Sequence, residues 1–336
     1  MRNYQNTILG STFLLVLLIV SLLYPCYGPK DFNHKVLITN KQGDVIGRAP
    51  FPPSEQHLLG TDRNGEDMHW LLLYGAKFTL MTAIGVALIR VLFGGALGFF
   101  ISIWVPYLKS YVQDLFIIFR YIPSVLLGLI LMIPIVGDFN DVPVSSIVIY
   151  QIIILVFIGI PSVTMFTSDI TGELLKTTFV QSSFLMGAGK LHIIRRQLWP
   201  HIRSYGILFV VQQIISTLHI TMQLGLFGMF LGGRSRAGIM GYDEPPKPAT
   251  LSNEWAGLIG QNFNEFLRAP WTIFTPILAY FIVIVVVNMI KKELEQNLTG
   301  REALKWNRKR KNISQDPIKR LTSSDLQFVD GRNVER

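Results

Sequence analysis

Long stretches without charge alternate with polar segments along this 336-residue chain. A helix that crosses a bilayer needs about 20 mainly apolar residues. Stretches of that kind recur six times. Arg2 and Lys30 bracket the first, whose apolar centre runs from Ile8 to Tyr24. Lys77 and Lys109 bracket the second, which only Arg90 interrupts. The third runs from Leu115 to Val136, with Arg120 near its start. Asp141 and Asp169 bracket the fourth, Arg203 and Arg234 the fifth, and Arg268 and Lys291 the sixth. Lipid offers no hydrogen bonds to a bare backbone, so each stretch is expected to be a helix. The first could serve as a signal peptide, but it is long for one and no A-x-A cleavage site follows. It reads as an uncleaved membrane helix.

Composition agrees with that pattern. Half of the residues are hydrophobic and 16% are charged, against about 25% charged in soluble domains. Mean hydropathy is +0.38. A single cysteine excludes a disulfide framework and any Cys-based metal site. The net charge of +9 points to nucleic acid, an anionic membrane face or a topology signal. Sorting it by span separates these. With both termini inside, the segments 1–7, 106–114, 169–204 and 291–336 hold 19 basic and 10 acidic residues. The outer segments 28–77, 137–145 and 232–270 hold 10 basic and 12 acidic. Basic residues favour the cytoplasmic side, so both termini are expected there and nucleic acid is not an expected partner.

Three regions follow: 1–77, the first span with a long outer loop; 78–290, the remaining spans; and 291–336, a basic cytoplasmic tail. Pro50, Pro52 and Pro53 argue against a compact domain in the first loop. Asp62 and Asp67 suit turn and cap roles there. The last outer loop carries turn formers through Gly241 and Pro245-Pro246, and Glu254 to Leu267 fits a short helix lying at the surface. In the tail, Lys305 to Lys311 holds five basic residues in seven, suited to anionic membrane lipid.

The inner segment 169–204 is the most informative. Phe184, Leu185, Ala188, Leu191, Ile194 and Leu198 recur at helical spacing, while Lys190, His192, Arg195 and Arg196 leave that face. This predicts a short amphipathic helix along the inner membrane face. Gly187 and Gly189 offer a break or a close contact within it, and Pro200 is expected to end it.

Gln181-Ser182-Ser183, then Gly187, then Pro200 resembles the E-A-A-x3-G motif of ABC-importer permeases. The glycine follows the first motif residue by six positions and the proline by nineteen, as in that family. Gln replaces Glu, two Ser replace two Ala, and Trp199 replaces the Leu before Pro. Leu59-Gly60-Thr61-Asp62-x2-Gly65-x-Asp67, followed by Leu72-Leu73-Tyr74-Gly75-Ala76, looks like the segment before the second span of oligopeptide/dipeptide permeases, C-type subunit. Glu66 stands where Arg is usual. Pro245-Pro246-x-Pro248, Trp255 and Ala269-Pro270-Trp271 resemble that family's last outer loop, and Asp114, Pro123 and Leu126-Leu127 fit its third span.

The resemblance implies an all-α integral membrane protein with six transmembrane helices of type I ABC importer permease fold. It implies a second homologous permease, two cytoplasmic ATPase subunits and an extracytoplasmic substrate-binding protein as partners. Cargo would be peptides, or related solutes such as nickel or metal chelates. Gln181, Ser182, Ser183, Gly187, Leu191, Ile194, Arg195, Arg196 and Pro200 would then couple the permease to the ATPases. Leu191 and Ile194 would fill a groove, with Arg195 and Arg196 pairing acidic residues beside it.

No motor is visible in the chain itself. Gly187-Ala188-Gly189-Lys190 fails the P-loop pattern G-x4-G-K-[ST], since Phe184 precedes it and Leu191 follows. The chain is therefore expected to bind no cofactor and no metal, to have no enzymatic activity, and to rely on ATP used by its partners. Within the spans, Gln212, Ser216, His219 and Gln223 share one helical face. Such a stripe either lines a translocation path or bonds helices together. Arg90, near the middle of its span, lines the path, pairs with another subunit, or is locally hydrated. Arg120 lies close enough to the inner boundary to snorkel. A secondary transporter and a non-transporting scaffold are the other classes this sequence allows.

Overall fold

The computed structural model describes residues 4–30, 32, 37–39, 45–136, 142–237 and 247–315. The side chains of Arg120 and of Lys305 to Lys311, together with Asp141, Gly241 and Pro245-Pro246, lie outside the described residues. The chain divides into a unit of Met1–Leu294 and a second of Glu295–Arg336. In the second, the described residues are the helical end of the last helix.

Helix α1 spans Gln5–Tyr27. A two-stranded antiparallel hairpin follows, β1 (Leu37–Thr39) and β2 (Val45–Arg48). Then come α2 (Met68–Trp104), α3 (Lys109–Tyr121), α4 (Ser124–Val136), α5 (Val144–Leu175), α6 (Thr178–Leu185), α7 (Lys190–Ile193) and α8 (Trp199–Leu226). Strands β3 (Arg234–Ala237) and β4 (Lys247–Thr250) pair antiparallel, and α9 (Trp255–Asn262) and α10 (Trp271–Gln315) close the chain. Among the described residues, five helical runs are long and apolar enough to cross a membrane, and α3 with α4 makes a sixth as a bent pair.

The third predicted span is thus not one straight helix. Its two halves meet at 78°. Ile122 is extended (φ −84°, ψ 125°) because it precedes Pro123, and a residue before proline is driven out of the α region. The helices also overrun the charge gaps. The second begins at Met68, nine residues ahead of Lys77, because Asp67 supplies an extended residue at its N-cap position.

Helix α2 is the spine. Ala83, Val86, Ala87, Arg90, Gly94, Gly98 and Ser102 form its buried face. Gly94 and Gly98 bring α5 close: a Cβ at 98 would lie 2.4 Å from the Thr164 carbonyl oxygen. Small residues four apart are the usual device for close helix contact in lipid, where apolar surface alone gives no drive. Ser102 Oγ adds a hydrogen bond to the Ser168 carbonyl, 2.8 Å. Two large apolar cores form among the described residues. Leu71, Leu80, Leu218, Leu258, Tyr280 and Val287 form one, and Met132, Ile154, Leu155, Ile220 and Leu224 the other. Many large apolar side chains of α1 and α10 face outward, as expected of surfaces left for lipid or other chains.

Helix α9 corrects one expectation. It does not lie at the surface: Trp255, Ala256, Gly257, Leu258, Ile259, Gln261 and Asn262 are all buried. Glycine makes this possible. A Cβ on Gly225 would meet the Ala256 carbonyl oxygen at 2.4 Å, and one on Gly260 would meet the Gly225 carbonyl oxygen at 2.0 Å. Trp255 donates its ring N–H to the Leu72 carbonyl (2.8 Å), and its backbone N–H bonds Thr79 Oγ1 (3.2 Å). Glu254, buried, accepts from the Leu231 N–H (2.7 Å) and Thr250 Oγ1 (2.6 Å).

Residues 49–67 fold over the same end of the molecule as a fitted lid rather than a separate domain. Trp271 donates its ring N–H to the Thr61 carbonyl, 3.2 Å. Asp62 makes the turn expected of it, its Oδ1 accepting from the backbone N–H of Asn64 (2.8 Å) and Glu66 (2.9 Å). Asp67 stands at the N-cap position of α2 without a side-chain cap bond. Its carboxylate engages His57 Nδ1 instead. Burial pushes the Asp62 carboxyl up to about 6. Burial, with the Asp62 charge beside it, pushes Glu66 up to about 7.

Candidate functional site

Two places gather the chemistry that the sequence singles out. The first is the turn between α6 and α7. Helix α6 ends at Leu185, and Gly187 takes a left-handed φ of +84°. The reversed chain closes with Ala188 N–H donating to the Ser183 carbonyl, 3.0 Å. The single amphipathic helix expected over Phe184 to Leu198 is therefore two pieces. Pro200 does not end the second. A five-residue π turn, Ile194–Leu198, has Trp199 N–H bonding the Ile194 carbonyl, and one helical run continues from Lys190 to Leu226. Proline lacks a backbone N–H, and the wide turn just before it shifts the ladder so that the run continues through Pro200.

The small core beneath this turn is Ile103, Val180, Ile193 and Leu198. Ser183 is buried, donates to the Phe179 carbonyl (3.0 Å) and accepts from Gln197 Nε2. That bond ties α6 to the π turn. Gln181 and Ser182 are exposed, as are Arg195 and Arg196. Leu191 is 74% exposed, whereas Ile194 is partly buried and packs onto the small core. The most outward apolar residues sit at the turn: Leu185, already on the periodic face, at 90% exposure, and Met186, which periodicity misses, at 80%. A break in periodicity hides Met186, because a turn residue belongs to neither helix face.

The second place is a cleft of about 580 Å³ between the α3–α4 elbow, α5 and α8. Phe119, Pro123, Gly159, Ser162, Gln213 and Ser216 are among its walls. Of the polar stripe on α8, Ser216 lines it, while Gln212, His219 and Gln223 are exposed on the helix surface. Arg90 is fully buried behind the cleft. Its Nε donates to the Leu155 carbonyl (2.9 Å), its Nη2 donates to the same oxygen, and its Nη1 donates to Gln213 Oε1 (3.1 Å). Gly159 makes room: a Cβ there would lie 2.1 Å from Arg90 Nε. Gln213 stands one position from the predicted stripe, so spacing does not single it out. At the far end, Asp169 pairs with Lys109 Nζ at 3.0 Å and accepts from Gln113 Nε2 at 2.8 Å.

Known proteins resemble this chain over most of its length. A protein described as a putative peptide transport system permease protein of Brucella abortus is 24% identical over 303 residues, 90% of each chain. A glutathione transport system permease protein of Escherichia coli is 23% identical over 297 residues, 88% of this chain and 87% of that one. The corresponding protein of Pectobacterium atrosepticum is 23% identical over 246 residues, 73% of each. These relatives are permease components of transport systems, and the helical architecture, with its apolar spans, is that of a multi-pass inner membrane protein. Residues 90–300 match the family described as the binding-protein-dependent transport system inner membrane component, and the chain belongs to that family of ABC importer permeases, of the peptide type.

Proposed function

We propose that this chain imports peptides, glutathione-like tripeptides included, as one of two permeases driven by separate ATPases. The observation that carries the coupling is the turn at Gly187. It presents Leu185, Met186 and Leu191 outward beside Arg195 and Arg196, on a base held by Ser183 and Gln197. An apolar knob on a stiff base, rimmed by positive charge, suits a groove in a soluble subunit with acidic walls. Closure of two such subunits on ATP would then tilt α8 through the continuous run from Lys190 to Leu226 and bias the bundle between two states.

In this reading both termini and the Gly187 turn face the cytoplasm, as the charge sorting favours. The lid over residues 49–67 faces an extracytoplasmic binding protein. The names of the relatives support a peptide cargo ahead of nickel or metal chelates. ATP is hydrolysed by the partners, and this chain contributes no step of that chemistry.

The test is co-purification and ATP hydrolysis of the assembled importer carrying Leu185→Glu with Leu191→Glu. Loss of the ATPase subunits from the complex, with the chain still inserted, is the expected result. Retained assembly and retained binding-protein-stimulated hydrolysis would overturn it. Uptake that persists without any ATPase and collapses with the ion gradient would point to a secondary transporter instead.

A further inference from the structure

We propose that Gln213 is a substrate-contacting residue, a hydrogen-bond donor to carbonyl or carboxylate oxygens of a passing peptide, and that Arg90 is the residue that positions it. The inference rests on the peptide-import reading above and names a contact inside it.

The argument begins with donor and acceptor chemistry. A guanidinium has five N–H donors and no acceptor. Arg90 Nη1 lies 3.1 Å from the end of the Gln213 side chain, so the oxygen of that amide must face the arginine. The NH2 group is thereby turned the other way. It has no hydrogen-bond partner among the described residues, although Gln213 is only 7% exposed. The side chain lines the cleft between the α3–α4 elbow, α5 and α8. A free amide would rotate to suit whatever it meets. This one is fixed with its donor end toward open space, the arrangement a positioned binding group requires.

The charge behind it favours the same class of ligand. Arg90 is matched by two neutral acceptors, the Leu155 carbonyl and the Gln213 amide. The carboxylate on the cleft wall, Asp169, is taken up by Lys109. Gly159 stands between the guanidinium and the cleft and has no side chain to separate them. A cation in low dielectric that lacks an anionic partner leaves its field in the nearest cavity. Ser162 and Ser216 add hydroxyls to the same walls. Oxygen acceptors with negative or partial negative charge fit this cleft, and cations do not. That excludes a free metal ion as the group held at Gln213.

The experiment uses the complete importer, with its binding protein, second permease and ATPases, reconstituted in vesicles. The probes are radiolabelled trialanine and glutathione. Gln213→Glu keeps an acceptor for Arg90 and removes the donor. Gln213→Met removes both groups at similar volume. Each is expected to assemble and to hydrolyse ATP on stimulation by the loaded binding protein, while uptake falls at least tenfold. Arg90→Met is expected to lower uptake similarly, and Arg90→Lys, which still donates to the amide oxygen, to recover part of it. Uptake within twofold of wild type in both assembled Gln213 variants would overturn the inference and leave the peptide reading standing. So would loss of ATP hydrolysis in step with uptake, since that marks a role in folding or coupling. Import of neither probe by the wild-type complex would overturn the peptide reading and the inference together.

Discussion

Gly75 and Asn253 are in direct backbone contact: the Asn253 carbonyl oxygen sits 1.9 Å from where a Cβ on residue 75 would be. Asn253 is itself left-handed, with φ +52°, and the chain turns there to send α9 into the bundle. The Tyr74-Gly75-Ala76 stretch thus has a physical meaning. It is the seat on α2 for the segment that precedes the buried helix.

Gly75→Ala is therefore expected to destabilise the bundle by about 1–3 kcal/mol, the usual cost of overpacking. The clash is with backbone, so the neighbour has little freedom to move aside. Gly85 in the same helix has nothing within 4 Å of where a Cβ would sit, and Gly85→Ala is expected to be neutral or stabilising by up to about 1 kcal/mol. Thermal midpoints of the two variants in detergent should separate in opposite directions. Equal midpoints would show that the seat at Gly75 yields freely.

The lid should be pH-sensitive. Folding raises the Glu66 carboxyl from 4.5 to about 7 through burial and the neighbouring Asp62 charge. Asp62 itself is raised from 3.8 to about 6, chiefly by burial. Between the unfolded and folded values, the folded lid holds protons that the unfolded segment has released. Its stability is then greatest below the unfolded values and falls as pH rises. The window for Glu66 runs from 4.5 to about 7, and the loss is complete above it. Hydrogen exchange of residues 58–68 should quicken across that window, and Glu66→Gln should flatten the profile. An exchange rate that slows with rising pH, after correction for intrinsic exchange, would contradict this.

Gly187 makes a different prediction because its surroundings are open. No atom lies within 4 Å of a Cβ there, yet φ is +84°. Any penalty for a side chain comes from the backbone alone, about 1–2 kcal/mol for most residues. Asn tolerates the left-handed region better than Ala or Val. Binding-protein-stimulated ATP hydrolysis should therefore decrease in the order Gly, Asn, Ala, Val, with membrane insertion unchanged throughout. A bulky residue that leaves hydrolysis intact would remove the turn from the coupling pathway.

Much of this architecture is written in the chain, and what is missing has identifiable causes. Charge gaps locate lipid-facing apolar runs, so the spans are legible, but helices such as α2 continue past the gap on caps like Asp67. The elbow at Ile122 is harder to see, because Pro123 in an apolar run either kinks or breaks a helix. Helix α9 reads as a surface helix for a related reason. Its burial depends on Gly225 and Gly260 meeting from distant parts of the chain, and a helix buried on all sides shows no amphipathic period. At the Gly187 turn, spacing locates the glycine but joins Ile194 to Leu191, although Leu191 is exposed and Ile194 packs onto the small core. Arg90 stands out as a charge in an apolar span. Its partner Gln213 does not, since only the fold brings residues 123 positions apart together.

The elbow at Ile122 also sets a length. Helix α4 has 13 residues, about 20 Å at 1.5 Å per residue. Helix α3, of equal length, is inclined at 78° and adds only about 4 Å along that direction. The bent pair therefore offers about 24 Å of helix where the hydrocarbon layer measures about 30 Å. A span that short is accommodated by thinner lipid, by flanking side chains that reach outward, or by another chain that covers it. The elbow residues Phe119, Ile122, Pro123 and Ser124 also wall the cleft. The polar cavity thus lies against the shortest apolar span among the described residues.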